Sequence, residues 1–232
     1  MPDFETIYRE HAAEYDRLVA REDYLENIPR ALMSIRPLAG ARVVEMGAGT
    51  GRLTRILAPR VEAIAAFDRS KAMLDVAVDT LSVFRRKNWQ VAVGDNRRLP
   101  VADGVADVCI AGWSFGHATG WYPDSWRVEI SLALGQMRRA LRRGGTAIIL
   151  ETLGTGRESP QPPTPALASY YAMLEGEFSF APSWIRTDYR FESIEEADRL
   201  TRFFFGDELA DGVARESLIV LPECTGVWTL RV

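Results

Sequence analysis

Three carboxylates stand where a ligand's polar groups would meet them: Glu45, Asp68 and Asp95. The first belongs to VVEMGAGTGRLT, residues 43–54. There a β-branched pair, Val43 and Val44, meets Glu45 and then Gly47, Gly49 and Gly51 at alternate positions. Glycines are needed where a backbone turns with positive φ, or where a ligand rests against bare main chain. Leu53, Ile56 and Leu57 follow with amphipathic spacing, so the stretch reads as strand, tight turn and helix start. A dinucleotide site asks for G-x-G-x-x-G beside a pyrophosphate. Here the third glycine comes one residue early, Arg52 takes its place, and Glu45 would repel a pyrophosphate. An acid at that point suits a ligand with cationic groups. Asp68 closes the apolar run VEAIAAF, residues 61–67. It lies close to the roughly 20-residue spacing at which an acid after the glycines meets ribose hydroxyls.

S-Adenosylmethionine (SAM) carries a sulfonium, an ammonium and no phosphate. The E-x-G-x-G-x-G stretch resembles the first motif of the class I SAM-dependent methyltransferases. That resemblance implies that Glu45, Gly47, Ala48, Gly49 and Gly51 hold the methionine end of the cofactor. It places Asp68 at the ribose, with Arg69 beside it in the cofactor set. The Gly94-Asp95 step after WQVAV (residues 89–93) is similar to the family's adenine motif, which gives Asp95 and Asn96 to the adenine ring. Met73 falls where the family often lays a side chain over that ring; core packing explains it equally well. AAEYDRL resembles an N-terminal segment that covers the cofactor in many small-molecule members. By that likeness Tyr8 and Tyr15 touch the methionine end; on the other reading both pack a helix against the sheet. LPVADGVADVCIAG is similar to the segment leading into the family's fourth strand, and Gly112, Trp113 and Ser114 after it are expected to flank the sulfonium.

The loop beyond that strand, AGWSFGHATGWYPDSW, is rich in rings: Trp113, Phe115, His117, Trp121, Tyr122 and Trp126. Ligands of open α/β sheets bind outside the carboxyl ends of strands, so this loop should line a largely apolar pocket. His117 is the catalytic candidate. With an ordinary pKa of about 6.5, an imidazole accepts a proton near neutrality. The alternatives are a structural histidine, a hydrophobic plug, or an aromatic cage for the sulfonium.

Positioning these residues takes alternating strands and helices. Strands are expected at 41–46, 61–67, 89–93, 106–111 and 146–151. Helices are expected over 3–36 in two pieces, 53–58, from the Ser70 cap onward, and 124–141. Beyond the Pro/Gly-rich stretch 154–165, Thr164-Pro165 opens a helix, 183–191 alternates as a strand, and Ser193 with Glu196 makes a capping box. A short helix at 207–215 and strand-like 217–221 and 226–231 finish the chain. The expected fold is α/β: a doubly wound, seven-stranded, mostly parallel sheet with an antiparallel last strand, N-terminal helices and a small helical cap. The organisation expected is one domain, 1–232, with a lid (1–37), a cofactor-binding core (38–152) and a C-terminal part with cap helices (153–232).

Composition excludes several alternatives. A net charge of −4 argues against nucleic acid as the main partner, because that affinity rests on clustered Lys and Arg. The two cysteines form no C-x-x-C or Cys/His cluster, so no metal is expected. No apolar run approaches the roughly 20 residues needed to span a bilayer, and MPDFETIYRE is not a secretory signal. A cytoplasmic location is the default. No N-P-P-Y or D-P-P-Y follows strand four, no Pro-Cys nucleophile follows it, and the G-x-S-x-G at 112–116 is not followed by the Ser, acid, His order of a hydrolase triad. The resemblance, specific over residues 1–152, implies methyl transfer from SAM to a small-molecule acceptor by in-line displacement, leaving S-adenosylhomocysteine (SAH). A SAM-binding module without transferase activity and a nicotinamide-linked oxidoreductase stay open.

Overall fold

A computed structural model of the chain describes residues 3–232. Three short helices come first: α1 (Phe4–Glu10), α2 (Ala12–Val19) and α3 (Asn27–Ile35). The sequence suggests two, but the backbone breaks at His11 and reverses through Asp23 and Glu26, both at positive φ. Asp23 compensates by accepting from the N–H groups of Asn27 and Ile28, each at 2.8 Å. Met1 and Pro2, part of the expected lid, lie outside the described residues.

The alternating core follows as β1 (Arg42–Met46), α4 (Arg52–Leu57), β2 (Ala63–Asp68), α5 (Lys71–Leu81), β3 (Trp89–Val93) and β4 (Ala106–Gly112). A 3-10 turn at Phe115–His117, α6 (Ala118–Trp121), α7 (Trp126–Ala140) and β5 (Leu141–Thr155) complete it. Then come α8 (Pro165–Gly176), β6 (Ala181–Arg186), β7 (Tyr189–Arg190), α9 (Ile194–Phe205), α10 (Asp207–Glu216), β8 (Val220–Leu221) and β9 (Glu223–Arg231). The predicted caps form: Ser70, Thr164 and Ser193 accept from the N–H groups of Met73, Leu167 and Glu196. The capping box closes only halfway, since Glu196 Oε2 accepts from the N–H of Glu192.

The main sheet runs β3-β2-β1-β4-β5-β9-β6. β1 to β5 pair in parallel, and β9 lies antiparallel between β5 and β6. The expected seven-stranded sheet with an antiparallel last strand is therefore present. The strand expected over 183–191 is two pieces: β6 joins the main sheet and β7 pairs with β8 in a separate ribbon. β5 runs on to Thr155, past the expected end at 151, because β9 pairs with it almost to its end.

Alternation along the strands feeds two cores. Val44, Met46, Cys109, Ala111 and Ile149 face α7 and α8. Val43, Val108, Ile110, Ile148 and Leu150 face α3 and α4. Each fully covered Ile or Leu contributes about 1.5–3 kcal/mol, so the strands are fixed and their carboxyl ends share one edge. The strand order reverses between β1 and β4, which opens a crevice at that edge. α9 and α10 sit in the chain between β6 and β9 and pack on α2 through a third cluster, including Leu18, Tyr189, Leu200 and Leu221.

Candidate active site

The glycine turn after β1 is tied to β2: Gly47 and Ala48 donate to the carbonyl of Phe67 at 2.8 and 2.9 Å. Gly47 has φ of 74°, and a Cβ there would fall 2.0 Å from Ser114 Oγ. The turn therefore touches the loop after β4 with no room for a side chain. Gly51, φ 81°, lets α4 begin against Ala77 of α5. Gly49 donates to Asp68 Oδ2 at 2.8 Å, and Ser70 donates to Oδ1 at 2.8 Å. Asp68 is thus held rigidly beside the turn. Burial raises its pKa despite those two bonds.

These elements enclose a crevice of about 480 Å³. Fourteen of the fifteen predicted cofactor residues line it: Tyr15, Glu45, Gly47, Ala48, Gly49, Asp68, Arg69, Met73, Gly94, Asp95, Asn96, Gly112, Trp113 and Ser114.

 Gly51 itself stands apart from that lining. Its expected contact with the cofactor is corrected: it is buried against Ala77 and Leu81, and its role is to let α4 pack on α5.

Three of the expected acids differ in how free they are. Glu45 is buried, accepts from Thr54 Oγ1 at 2.5 Å, and is pushed up to about 8, chiefly by burial. It is a carboxyl that a neighbouring cation would ionise. Asp95 is committed to Arg97, whose Nε donates to Oδ1 at 2.8 Å, and that bond holds its carboxyl below the usual range. Arg97 in turn donates to Glu129 Oε2 at 2.8 Å. The resemblance gives Asp95 to a ring amine; in the structure its carboxylate has an arginine partner two residues on. Asn96 donates to Ser114 Oγ at 3.0 Å, while its buried Oδ1 has no partner.

Trp113 has φ of 49°, a strained conformation for a bulky residue. Its ring is covered by the Arg52 guanidinium at 4.0 Å. Tyr8 hydrogen bonds His117 Nε2 at 2.9 Å, His117 stacks on Trp121 at 4.8 Å, and Tyr15 meets Tyr8 edge-on at 5.3 Å. These rings separate the crevice from a second chamber of about 1330 Å³. That chamber lies among α1, α2, the loop after β5, α9 and α10.

The expectation that His117 is a base with an ordinary pKa is corrected. Burial pushes its imidazole down to about 4, its Nε2 is engaged by Tyr8, and the ring also bonds the main chain of Trp113. It is neutral at pH 7 and a weak base, although it stands in the wall between the cavities.

Several residues at the site escaped the sequence reading. Glu151, near the end of β5, accepts from the Gly116 N–H at 2.9 Å and holds the 3-10 turn that carries His117. Burial pushes it up to about 7. Its signal was available, since it is one more acid toward the carboxyl end of a parallel strand. Glu22, Arg52 and Glu223 line the chamber from distant parts of the chain, and no local pattern marks them.

A doubly wound sheet with a glycine turn, a strand-end aspartate and a crevice at the switch point defines a nucleoside-binding α/β protein. The methyltransferase-domain family model matches residues 44–149. An uncharacterized methyltransferase of Staphylococcus carnosus is 31% identical over 156 residues, covering 65% of this chain and 69% of the relative. A malonyl-[acyl-carrier protein] O-methyltransferase of Geobacter sulfurreducens is 30% identical over 207 residues, covering 88% of this chain and 65% of the relative. The chain thus spans just under two thirds of the length of that second relative. Among solved structures, a SAM-dependent methyltransferase from Aquifex aeolicus shares the fold with a TM-score of 0.58 and 15% identity, over 88% of this chain and 89% of that one. The chain belongs to the class I SAM-dependent methyltransferase family. No helix among the described residues is long and apolar enough to cross a membrane.

Proposed function

We propose that this chain transfers a methyl group from SAM to a small-molecule acceptor held in the second chamber. One observation carries the reading: two cavities share a single wall, and Tyr8, Tyr15, Arg52, Trp113, His117 and Trp121 line both. A donor in one cavity and an acceptor in the other would meet there.

The crevice residues fit SAM in character. Gly47 leaves bare main chain where a Cβ would strike Ser114. Glu45 is a desolvated acid that a cation would ionise, which suits an ammonium or a sulfonium. Asp68, fixed by two backbone donors, retains lone pairs for ribose hydroxyls. Asn96 Oδ1 is a buried acceptor without a partner, as the amine of a purine requires. In this reading Asn96 takes more of the adenine recognition than Asp95, which Arg97 engages. Met73, Arg69, Gly94 and Gly112 complete the lining.

When bound, SAM supplies a methyl carbon already activated by its sulfonium. The chain's residues then have positioning to do, and the exclusion of water. α1 and α2 serve as a lid: Phe4 and Tyr15 pack on Phe204 of α9 at 5.1 and 5.3 Å, and Ser70 Oγ donates to the Tyr8 carbonyl at 2.9 Å. The neutral His117 orients the Tyr8 hydroxyl at the shared wall. A proton released by an acceptor is better placed on Glu151, pushed up to about 7, than on His117.

Calorimetric titration with SAH, with NADH run beside it, tests the cofactor. Micromolar binding of SAH alone is expected; binding of NADH alone overturns the reading. Transfer of labelled methyl from SAM to any small acceptor then establishes turnover, and SAH binding with no transfer across a broad acceptor screen would leave a binding module.

A further inference from the structure

At depth the chamber gathers charge that its own side chains do not balance. Glu22, Glu151 and Glu223 are almost wholly covered there, against one buried guanidinium, Arg52. Arg52 Nη1 donates to Glu22 Oε2 at 2.7 Å, which offsets one of the acids. Glu223 accepts from Thr152 Oγ1 at 2.7 Å through Oε1, while its Oε2 lacks a well-formed bond, although the Thr155 side chain lies beside that carboxylate. Glu22 Oε1 likewise lacks a well-formed bond, although the Tyr189 hydroxyl lies beside that carboxylate. Glu223 is fixed in place. Its N–H donates to Asp188 Oδ1 at 2.9 Å, and it pairs with Thr155 in the sheet. A buried acid with an unmatched oxygen is costly unless something answers it. Burial and the neighbouring Glu22 raise the pKa of Glu223.

We propose that the chamber recognises a protonated amine on the acceptor, with Glu223 and Glu22 accepting its N–H bonds and the rings of Tyr15, Tyr189 and Phe204 around its charge. This rests on reading the chamber as the acceptor site. An ammonium brings several donors and one positive charge, which is what the unmatched oxygens and the excess of buried acid call for. Rings at the same depth favour a cation further. Arg52 lines both cavities, so its own partnerless Nη2 remains available to an oxygen of either ligand. Arg186 is engaged by Asp188 at 2.8 Å and does not offset the acids. An anionic acceptor would meet like charge. The malonyl group in the name of the Geobacter relative carries a carboxylate, so the two proteins should differ in their acceptors.

The test uses three probes of one shape, 3-phenylpropan-1-amine, 3-phenylpropan-1-ol and 3-phenylpropanoate, titrated into the whole chain with and without SAH. The amine should bind about tenfold or more tightly than either of the others, a difference of about 1.4 kcal/mol. Glu223→Gln should erase that preference while SAH still binds. The ranking on the unaltered chain decides the matter even if the variant fails to fold. Equal binding of all three, preference for the carboxylate, no binding of the amine, or a preference unchanged in Glu223→Gln overturns the proposal. Failure of SAH to bind would instead strike the cofactor reading, since the probe ranking is measured without SAH as well.

Discussion

The crevice and the chamber share a wall but are made of different material. The crevice is built from main chain and from side chains close in sequence. Gly47 and Ala48 lean on Phe67, Asp68 is held by Gly49 and Ser70, and Asp95 is held by Arg97. The chamber is built from side chains far apart in sequence, with Glu22, Arg52, Glu151 and Glu223 converging on one space. Local construction leaves few degrees of freedom, because a turn between two parallel strands has little choice of path. Long-range construction leaves charged atoms without a well-formed bond, as at Glu22 Oε1, Arg52 Nη2 and Glu223 Oε2, whereas the unmatched atoms of the locally built crevice, Asn96 Oδ1 and Thr50 Oγ1, are neutral. A rigid cradle suits a ligand that never changes. A chamber with unanswered groups suits a ligand whose identity is written in those groups.

The comparison breaks most sharply at Gly47. Alanine there places a Cβ 2.0 Å from Ser114 Oγ and 2.6 Å from Ser114 Cβ, at φ 74°. Gly47→Ala should weaken SAH binding by about a hundredfold or more, roughly 2.7 kcal/mol. Calorimetry reads the loss, and unchanged affinity would show that the turn is not the cradle. A smaller effect is expected at Asp68. Asp68→Asn keeps its shape but replaces one acceptor oxygen with a donor, so SAH affinity should fall by about tenfold. If affinity holds, the ribose assignment fails.

Protonation separates the two regions without mutating either. Glu45 and Glu223 are pushed up to about 8 and Glu151 to about 7, all mainly by burial. An acid whose folded pKa lies above its unfolded value stabilises the fold fully below the unfolded value and ceases to do so as pH rises through the folded one. His117, pushed down to about 4, works in the opposite sense, but only below its unfolded value near 6.5. Between about pH 6.5 and 8.5 the acids therefore act alone, and the Tm of the ligand-free chain should fall by a few degrees. Glu45→Gln should flatten part of that slope. Bound SAM should flatten it too, because a cation beside Glu45 favours the ionised form. SAM affinity should accordingly rise with pH over the same range. A Tm independent of pH there would mean that Glu45 is already ionised in the empty crevice.

What the sequence disclosed follows the same division. E-x-G-x-G-x-G, Asp68 and the Gly94-Asp95 step are local patterns, each confined to one strand and the turn after it, and they led to the crevice. The alternation of strands and helices led to the sheet for the same reason. Glu22 and Glu223 carry no such signature: one follows a helix and the other opens the last strand, and only the folded sheet brings them together. Gly51 misled because its place in the motif looks equivalent to Gly47, whereas its absent side chain serves helix packing. His117 misled because its ordinary pKa presumes water, and its surroundings are rings. The break at His11 depends on how α1 and α2 pack, which periodicity does not report.

Asp95 is the point at which the locally built crevice behaves least as its motif suggests, and Arg97 gives the finest test. Both Asp95 oxygens accept from Arg97, and the Arg97 guanidinium also reaches Glu129 on α7. The pair is partly exposed, so its own contribution to stability is small. Arg97→Ala would release the carboxylate without moving the backbone of the β3 turn. If Asn96 carries the adenine contact, with its partnerless Oδ1, SAH affinity should change by about threefold or less. If Asp95 must be aimed by Arg97 to meet the ring, the loss should approach about tenfold, and Asp95→Asn should reproduce it. Arg97→Ala combined with Asp95→Asn distinguishes the two cases, since a shared role predicts no further loss in the double variant. The smaller value assigns adenine recognition to the residue whose buried oxygen is unmatched, which would apply to the crevice the same rule proposed for the chamber.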